Sequence, residues 1–353
     1  MTPRIRAIAT ALPDGRLTRE RWTELAVRIA PEGAPAPVIE RLAERSGIDG
    51  RGCAATPPAG GCFYPGTGGG APGDPGTAAR MALWKDAAWR MAEAAARDAL
   101  AQAGVAGTAV THCVTASCTG YESPGIDAHL VERLGLPAYC RRLNVGHMGC
   151  HAAVNALAAA RDMVLADPRA TVLVCCAEVS SAHFQRSLRM DRMVANAIFA
   201  DGCAAAVVAA GTDGPEVTAT HSMLIPGTAD EMRWTVGDHG FEMTLGAGVP
   251  DILRECVGPW VRASLAGHGL DAAAVGGWAI HPGGPRVLDA VTASLALPPG
   301  ADAASRAVLR EHGNMSSATL PFILRRLAQS GVPRPWVGLA FGPGLVGEML
   351  LVR

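Results

Sequence analysis

The sequence carries no excess of charge of either sign: 31 Lys and Arg face 32 Asp and Glu, a formal net charge of -1 over 353 residues. Without a basic field nothing draws in a polyphosphate backbone or an anionic lipid surface, which argues against a nucleic-acid partner. Long apolar runs are missing too. Thr171 to Ala177 and Cys203 to Ala210 fall far short of the roughly 20 residues that cross a bilayer, so they read as buried strands, with no stable membrane insertion. The opening Met-Thr-Pro-Arg-Ile-Arg has no apolar leader, and the 10 cysteines include no Cys-x-x-Cys pair. A reduced, cytoplasmic setting with no metal site is the expectation. The adjacent Cys175 and Cys176 would point to opposite faces of a strand, poor geometry for one ion.

What is present is enough apolar material, 49% of residues, to bury a substantial core. Gly and Pro crowd Gly52 to Thr77, which predicts a long surface loop; no Gly-Lys-Ser/Thr follows its GTGGG run, so a phosphate loop is not expected. Helical spacing marks Leu83 to Gln102, Gly125 to Leu134, Cys150 to Ala166, Pro250 to Ala266, Pro285 to Leu295 and Ser317 to Ala328. Strands are expected at Thr111 to Cys118, Thr171 to Val179, Cys203 to Ala210, Gly277 to Ile280, Val337 to Phe341 and Glu348 to Val352. Such alternation implies an α/β fold with buried sheets covered by helices.

Three stretches carry chemistry. In Val-Gly-His-Met-Gly-Cys-His-Ala-Ala-Val-Asn, Cys150 follows a glycine turn and opens an Ala-rich helical run. A thiol at a helix N-terminus drops from about 8.5 into the range ~3.5 to 7.5 and becomes a nucleophile, although plain packing would also explain a buried cysteine. His281 ends the short strand Trp-Ala-Ile-His, where Pro-Gly-Gly-Pro turns the chain at the sheet edge. Asn314, in His-Gly-Asn-Met-Ser-Ser-Ala, opens another helix, where capping alone would also suit it. His151, one residue beyond Cys150, would point about 100° away and reads as support, while His147 is a weaker candidate for the pocket wall.

Together GHMGC, WAIHPGGPRVLDAV, HGNMSSATLPFIL and the terminal AFGPGLVGEMLLVR resemble the chalcone-synthase-like type III polyketide synthases over nearly the whole chain. The resemblance implies a thiolase-like layered αβαβα fold of two similar halves, 1–215 with the nucleophile and 216–353 with the other catalytic groups, and a homodimer. It gives Cys150 the acyl group and His281 and Asn314 the activation of thioester and malonyl groups, with acyl-CoA and malonyl-CoA as substrates and no resident cofactor. The chemistry is consistent: thioester exchange keeps the acyl group reactive, and a malonyl-derived enolate needs preorganised, uncharged donors.

SCTGYESPGIDAHLVERLGL, GHMGCHAAVNAL and RWTVGDHGFEMTL look most like bacterial members that make alkylresorcinols or alkylpyrones from fatty acyl starters. Phe199 matches a gating phenylalanine, Met243 takes the place of a second one, and Cys118 and His183 stand where plant members line the cavity with threonine. The softer Met243 gate predicts preference for flexible aliphatic starters. By the same resemblance Gly283, Gly284, Arg286, Arg45 and Arg51 lie along the CoA path. Phe341, Gly342, Pro343 and Gly344 form the closing loop, with Ala340 in place of the usual first glycine. Two alternatives stay open: a ketoacyl-ACP synthase III type enzyme that stops after one condensation, and a Cys-His acyl-CoA hydrolase.

Overall fold

The computed structural model describes residues 2–58, 61–64 and 74–353. Its strands are β1 (Thr2–Ala11), β2 (Arg16–Thr18), β3 (Gly50–Gly52), β4 (His112–Ser117), β5 (Arg141–Gly146), β6 (Thr171–Val179), β7 (Asp201–Gly211), β8 (Val217–Leu224), β9 (Met232–Gly237), β10 (Gly240–Leu245), β11 (Gly277–Ile280), β12 (Trp336–Gly342) and β13 (Val346–Val352). The helices are α1 (Arg19–Ile29), α2 (Ala36–Ser46), α3 (Thr77–Ala103), α4 (Ile126–Leu134), α5 (Ala152–Ala166), α6 (Met190–Ile198), α7 (Val249–Ala266), α8 (Pro285–Leu295), α9 (Ala303–His312) and α10 (Thr319–Gln329).

β1 to β7 share one sheet, ordered β2-β3-β7-β6-β4-β5 with β1 also paired to β7. β11-β12-β13-β8 make a second sheet, and β9 with β10 a separate hairpin. The near-continuous apolar run of β6 is the mark of a strand covered on both faces. Val172, Val174 and Cys176 enter the core shared with α5 and α10, while Leu173, Cys175 and Ala177 join the core under α3. Cys175 and Cys176 therefore do face opposite ways. β12 divides in the same manner: Trp336 and Ala340 face the shared core, and Val337, Leu339 and Phe341 face α7 and α8.

The layers stack as α3, first sheet, α5 with α10, second sheet, α7 with α8: the αβαβα order of a thiolase-like fold. The alanines of α5 (Ala152, Ala153, Ala156, Ala160) are fully buried, and their small size lets both sheets close on one helix. No described helix is long and apolar enough to cross a membrane.

Two expectations need correction. The segment after Gly52 is not all surface: Cys53, Ala55 and Tyr64 are buried, and the Tyr64 hydroxyl donates to Ser181 O at 2.6 Å. Its aromatic ring and short apolar side chains pack on α1, which the Gly and Pro count obscured. The GTGGG run lies outside the described residues. The helix read from Cys150 begins instead at Ala152, because Gly149–His151 forms a 3-10 turn.

Candidate active site

Cys118 directly follows β4, Ser180 follows β6, and His281 follows β11, so the carboxyl ends of three strands from both sheets supply the site. Cys150 arrives from the 3-10 turn, where Gly149 takes a φ of 73°. A methyl group on Gly149 would stand 2.6 Å from Pro343 Cδ, so only glycine lets the closing loop Phe341–Gly344 lie against the nucleophile. Pro343 lines the Cys150 chamber itself.

Cys150 is 5% exposed, and burial pushes its thiol up to about 12, the Glu178 charge adding to the effect. The nearby Ser316 and Asn314 side chains pull the other way. Asn314 Oδ1 accepts from the Ser316 N–H at 2.8 Å, which fixes the carboxamide and leaves its NH2 as the donor. His281 is 1% exposed, and neither ring nitrogen has a hydrogen-bond partner among the described residues. Burial, with a smaller push from His151, lowers it to about 3. Burial thus works against ionisation of the thiol and against protonation of the imidazole, opposing the pull toward a thiolate that a helix end exerts.

His151 points away from the chamber, its Nδ1 2.8 Å from Asn155 Oδ1, and Asn155 Nδ2 donates to Glu348 Oε1 at 3.1 Å. It is a support, as its spacing predicted. His147 is exposed on the approach to the turn, with a φ of 59°.

Cys118, Phe199 and Met243 surround a chamber of about 10 Å3 together with Cys150, Ser180 and Trp234. Ser180, Phe199, Trp234 and Met243 also border an outer cavity of about 50 Å3, which His183 and Phe241 help line. His183 is a clamp more than a wall: it stacks on Phe241 at 4.4 Å, accepts the Phe241 N–H on Nδ1, and donates from Nε2 to Thr119 O. Burial lowers it to about 4, so it is neutral.

Three residues of this site escaped the sequence reading. Trp234 sits opposite Met243 in the β9–β10 hairpin, its ring 6.3 Å from that of Phe199 and its indole N–H bonded to Cys118 O. Ser316 lines the Cys150 chamber and lies 3.1 Å from Cys118 Sγ. Glu178 is wholly buried and accepts from the Thr119 hydroxyl at 2.6 Å and the Cys118 N–H at 3.1 Å. A carboxylate inside an apolar strand was the available signal, since such groups persist only when paired.

The residues expected along the CoA path separate. Gly284 caps α8 with a φ of 146° and no side-chain cap, Gly283 precedes it, and Arg286 is exposed in the first turn. Arg45 is exposed in the last turn of α2; a methyl group on nearby Gly47 would lie 3.8 Å from Pro285, so these elements adjoin. Arg51 does not belong with them. It is 4% exposed, and its guanidinium donates to the carbonyls of Asn196, Ala197 and Phe199, which leaves it unable to grip a phosphate at the surface.

Residues 4–212 match the N-terminal domain of the chalcone and stilbene synthases, and residues 216–353 match the C-terminal domain. The chain belongs to that family, the type III polyketide synthases, and is an acyltransferase. It is 35% identical to a 1,3,6,8-tetrahydroxynaphthalene synthase of Streptomyces peucetius subsp. caesius, over 99% of this chain and 92% of that protein. An alpha-pyrone synthesis polyketide synthase-like protein of Mycobacterium tuberculosis is 32% identical over 77% of this chain and 72% of its own length. The crystal structure of PKS-I from the brown alga Ectocarpus siliculosus superposes with a TM-score of 0.94 at 29% identity, covering 100% of this chain and 98% of that one.

Proposed function

We propose that the chain loads an acyl group from CoA onto Cys150, extends it by repeated decarboxylative condensation with malonyl-CoA, and cyclises the product, using no resident cofactor. The carrying observation is the surroundings of the sulfur: Ser316 lines its chamber, Ser316 and Asn314 both favour its ionised form, and the buried His281 keeps both ring nitrogens unpaired among the described residues. In loading, the Cys150 proton passes to His281, sulfur attacks the thioester carbonyl, and the CoA thiolate leaves with that proton. In extension, malonyl-CoA loses CO2, the electron pair becomes an enolate held by the Asn314 amide and the His281 N–H, and its carbon attacks the acyl-cysteine. The C–S bond breaks and the thiolate returns.

Arg286 and Arg45, beside the uncapped amino end of α8, suit the phosphates of CoA. β5 ends the first sheet with its outer edge bare, and residues 141–144 are exposed, which favours pairing with a second copy in a dimer.

A small starter, malonyl-derived, and a compact aromatic product suit this chamber best. Trp234 and Met243 line the chamber with Phe199, Phe241 packs edge-on against Trp234, and the free volume near Cys150 is about 10 Å3, which favours a small group there. One observation favours the fatty acyl starter and an alkylpyrone or alkylresorcinol instead: the outer cavity has an apolar floor of Trp22, Leu25 and Ile29. Product mass spectrometry decides between them. Malonyl-CoA alone giving a cyclised polyketide supports the small starter, and product only with a long acyl-CoA supports the second. A single ketoacyl product, or free acid without CO2, would overturn the iterative reading.

A further inference from the structure

Arg51 is a cation spent entirely inside the protein. From β3 its Nη1 donates to Phe199 O at 2.9 Å and Asn196 O at 3.3 Å, and its Nη2 to Ala197 O at 2.7 Å. These carbonyls end α6, where no helical N–H remains to receive them and where a positive charge complements the helix dipole. The guanidinium lies over the Trp22 ring, 4.8 Å from its centroid. Burial lowers its pKa to about 10, so it stays charged at neutral pH, with Asp201 as the nearby countercharge.

The segment it holds leads straight to the catalytic amide. Phe199 and Asn314 form a parallel bridge: the Asn314 N–H donates to Ile198 O at 3.0 Å, and the Ala200 N–H donates to Asn314 O at 2.8 Å. The carbonyls bound by Arg51 and the backbone that carries Asn314 are therefore one continuous ladder.

We propose that Arg51 is a positioning residue that, by tying the end of α6 to β3, fixes both the Phe199 ring at the chamber and the Asn314 amide at the Cys150 sulfur. It acts through these backbone carbonyls. The proposal rests on Asn314 as the donor for the malonyl-derived enolate. Loading of Cys150 forms no enolate and depends less on the exact place of the Asn314 donor, so loosening Arg51 harms the decarboxylating step far more than acylation. Lysine keeps the charge yet cannot span three carbonyls, so it restores part of the function.

The test compares wild type, Arg51→Lys, Arg51→Gln and Asn314→Ala. Acyl-enzyme formation from hexanoyl-CoA is followed by intact mass, CO2 release from malonyl-CoA by label, and folding by thermal melt. A misplacement of about 1 Å costs about 100-fold, so Arg51→Gln is expected to lose about that in CO2 release, acylation staying within about twofold, with Arg51→Lys between. An equal fall in both steps, or full CO2 release by a folded Arg51→Gln, overturns the proposal. So does failure of both Arg51 variants to fold, which would make Arg51 a residue of stability alone. Normal CO2 release by Asn314→Ala would instead remove the reading of Asn314 on which the proposal stands.

Discussion

Gly342 faces His151 so closely that a methyl group on it would stand 2.5 Å from the imidazole Cδ2 and 3.0 Å from Met148 O. The closing loop and the nucleophile turn are thus one packed unit. Gly342→Ala must push either the ring or the turn, and overpacking of this kind costs about 1–3 kcal/mol. A melting temperature several degrees lower is expected, together with slower acylation of Cys150; an unchanged melt and acylation rate would contradict the contact.

Cys150→Ala removes the acyl acceptor and leaves the groups assigned to enolate stabilisation. Acyl-enzyme formation is expected to vanish while slow CO2 release from malonyl-CoA persists, and His281→Ala is expected to abolish that residue of activity. Full-length polyketide from Cys150→Ala would refute the nucleophile assignment.

The upward push of burial on the Cys150 thiol has a kinetic signature. With Cys150 at about 12 in the free protein, its alkylation by iodoacetamide is expected to be slow at pH 7 and to climb continuously through pH 9. A plateau below pH 8 would show that the thiolate already dominates.

Two buried imidazoles and a half-buried one tie folding to pH: His281 is lowered to about 3, His183 to about 4 and the half-buried His312 to about 4, each chiefly by desolvation. In the unfolded chain each titrates near 6.5. Below that pH the unfolded state binds protons that the folded state refuses, so their contribution is complete above about 6.5 and falls away toward pH 4. Urea midpoints are expected to drop over that window. A flat profile from pH 6.5 to 4.5 would mean the rings are not held neutral.

Trp234 fills the space between the gate and Phe241 and anchors its indole on Cys118 O. Trp234→Ala is expected to enlarge the chamber and shift the products to longer chains or bulkier starters, at a stability cost below the about 3–5 kcal/mol of a fully buried aromatic, since the ring is half-buried. An identical product distribution in mass spectrometry would show that the indole does not limit the chain.

Strands covered on both faces and helices with one clear apolar stripe were readable from sequence. β6, β11 and α8 fall at 171–179, 277–280 and 285–295, as their apolar runs and turn residues predict. Others gave no such pattern. β1 carries Arg4 and Arg6 and breaks register between Ile5 and Ala7, and β5 is an edge whose first four residues face solvent. At the site, Cys150, His281 and Asn314 were legible because each stands beside turn residues. Trp234 and Ser316 were not, since both reach the chamber through pairings and turns that join distant segments. Arg51 shows the limit most clearly: the resemblance sets it along the CoA path, and only the fold reveals that its partners are backbone carbonyls.

Because α5 and α10 are gripped by both sheets at once, neither half of the molecule owns its interior. A nick near Gly211 would leave each fragment with a bare greasy surface the size of a sheet, so separately made fragments should precipitate and pair only when they meet during synthesis. Sequence drift in the middle helices is correspondingly answerable to two neighbours, and a swap of one half for that of a distant relative succeeds only if those helices travel with it.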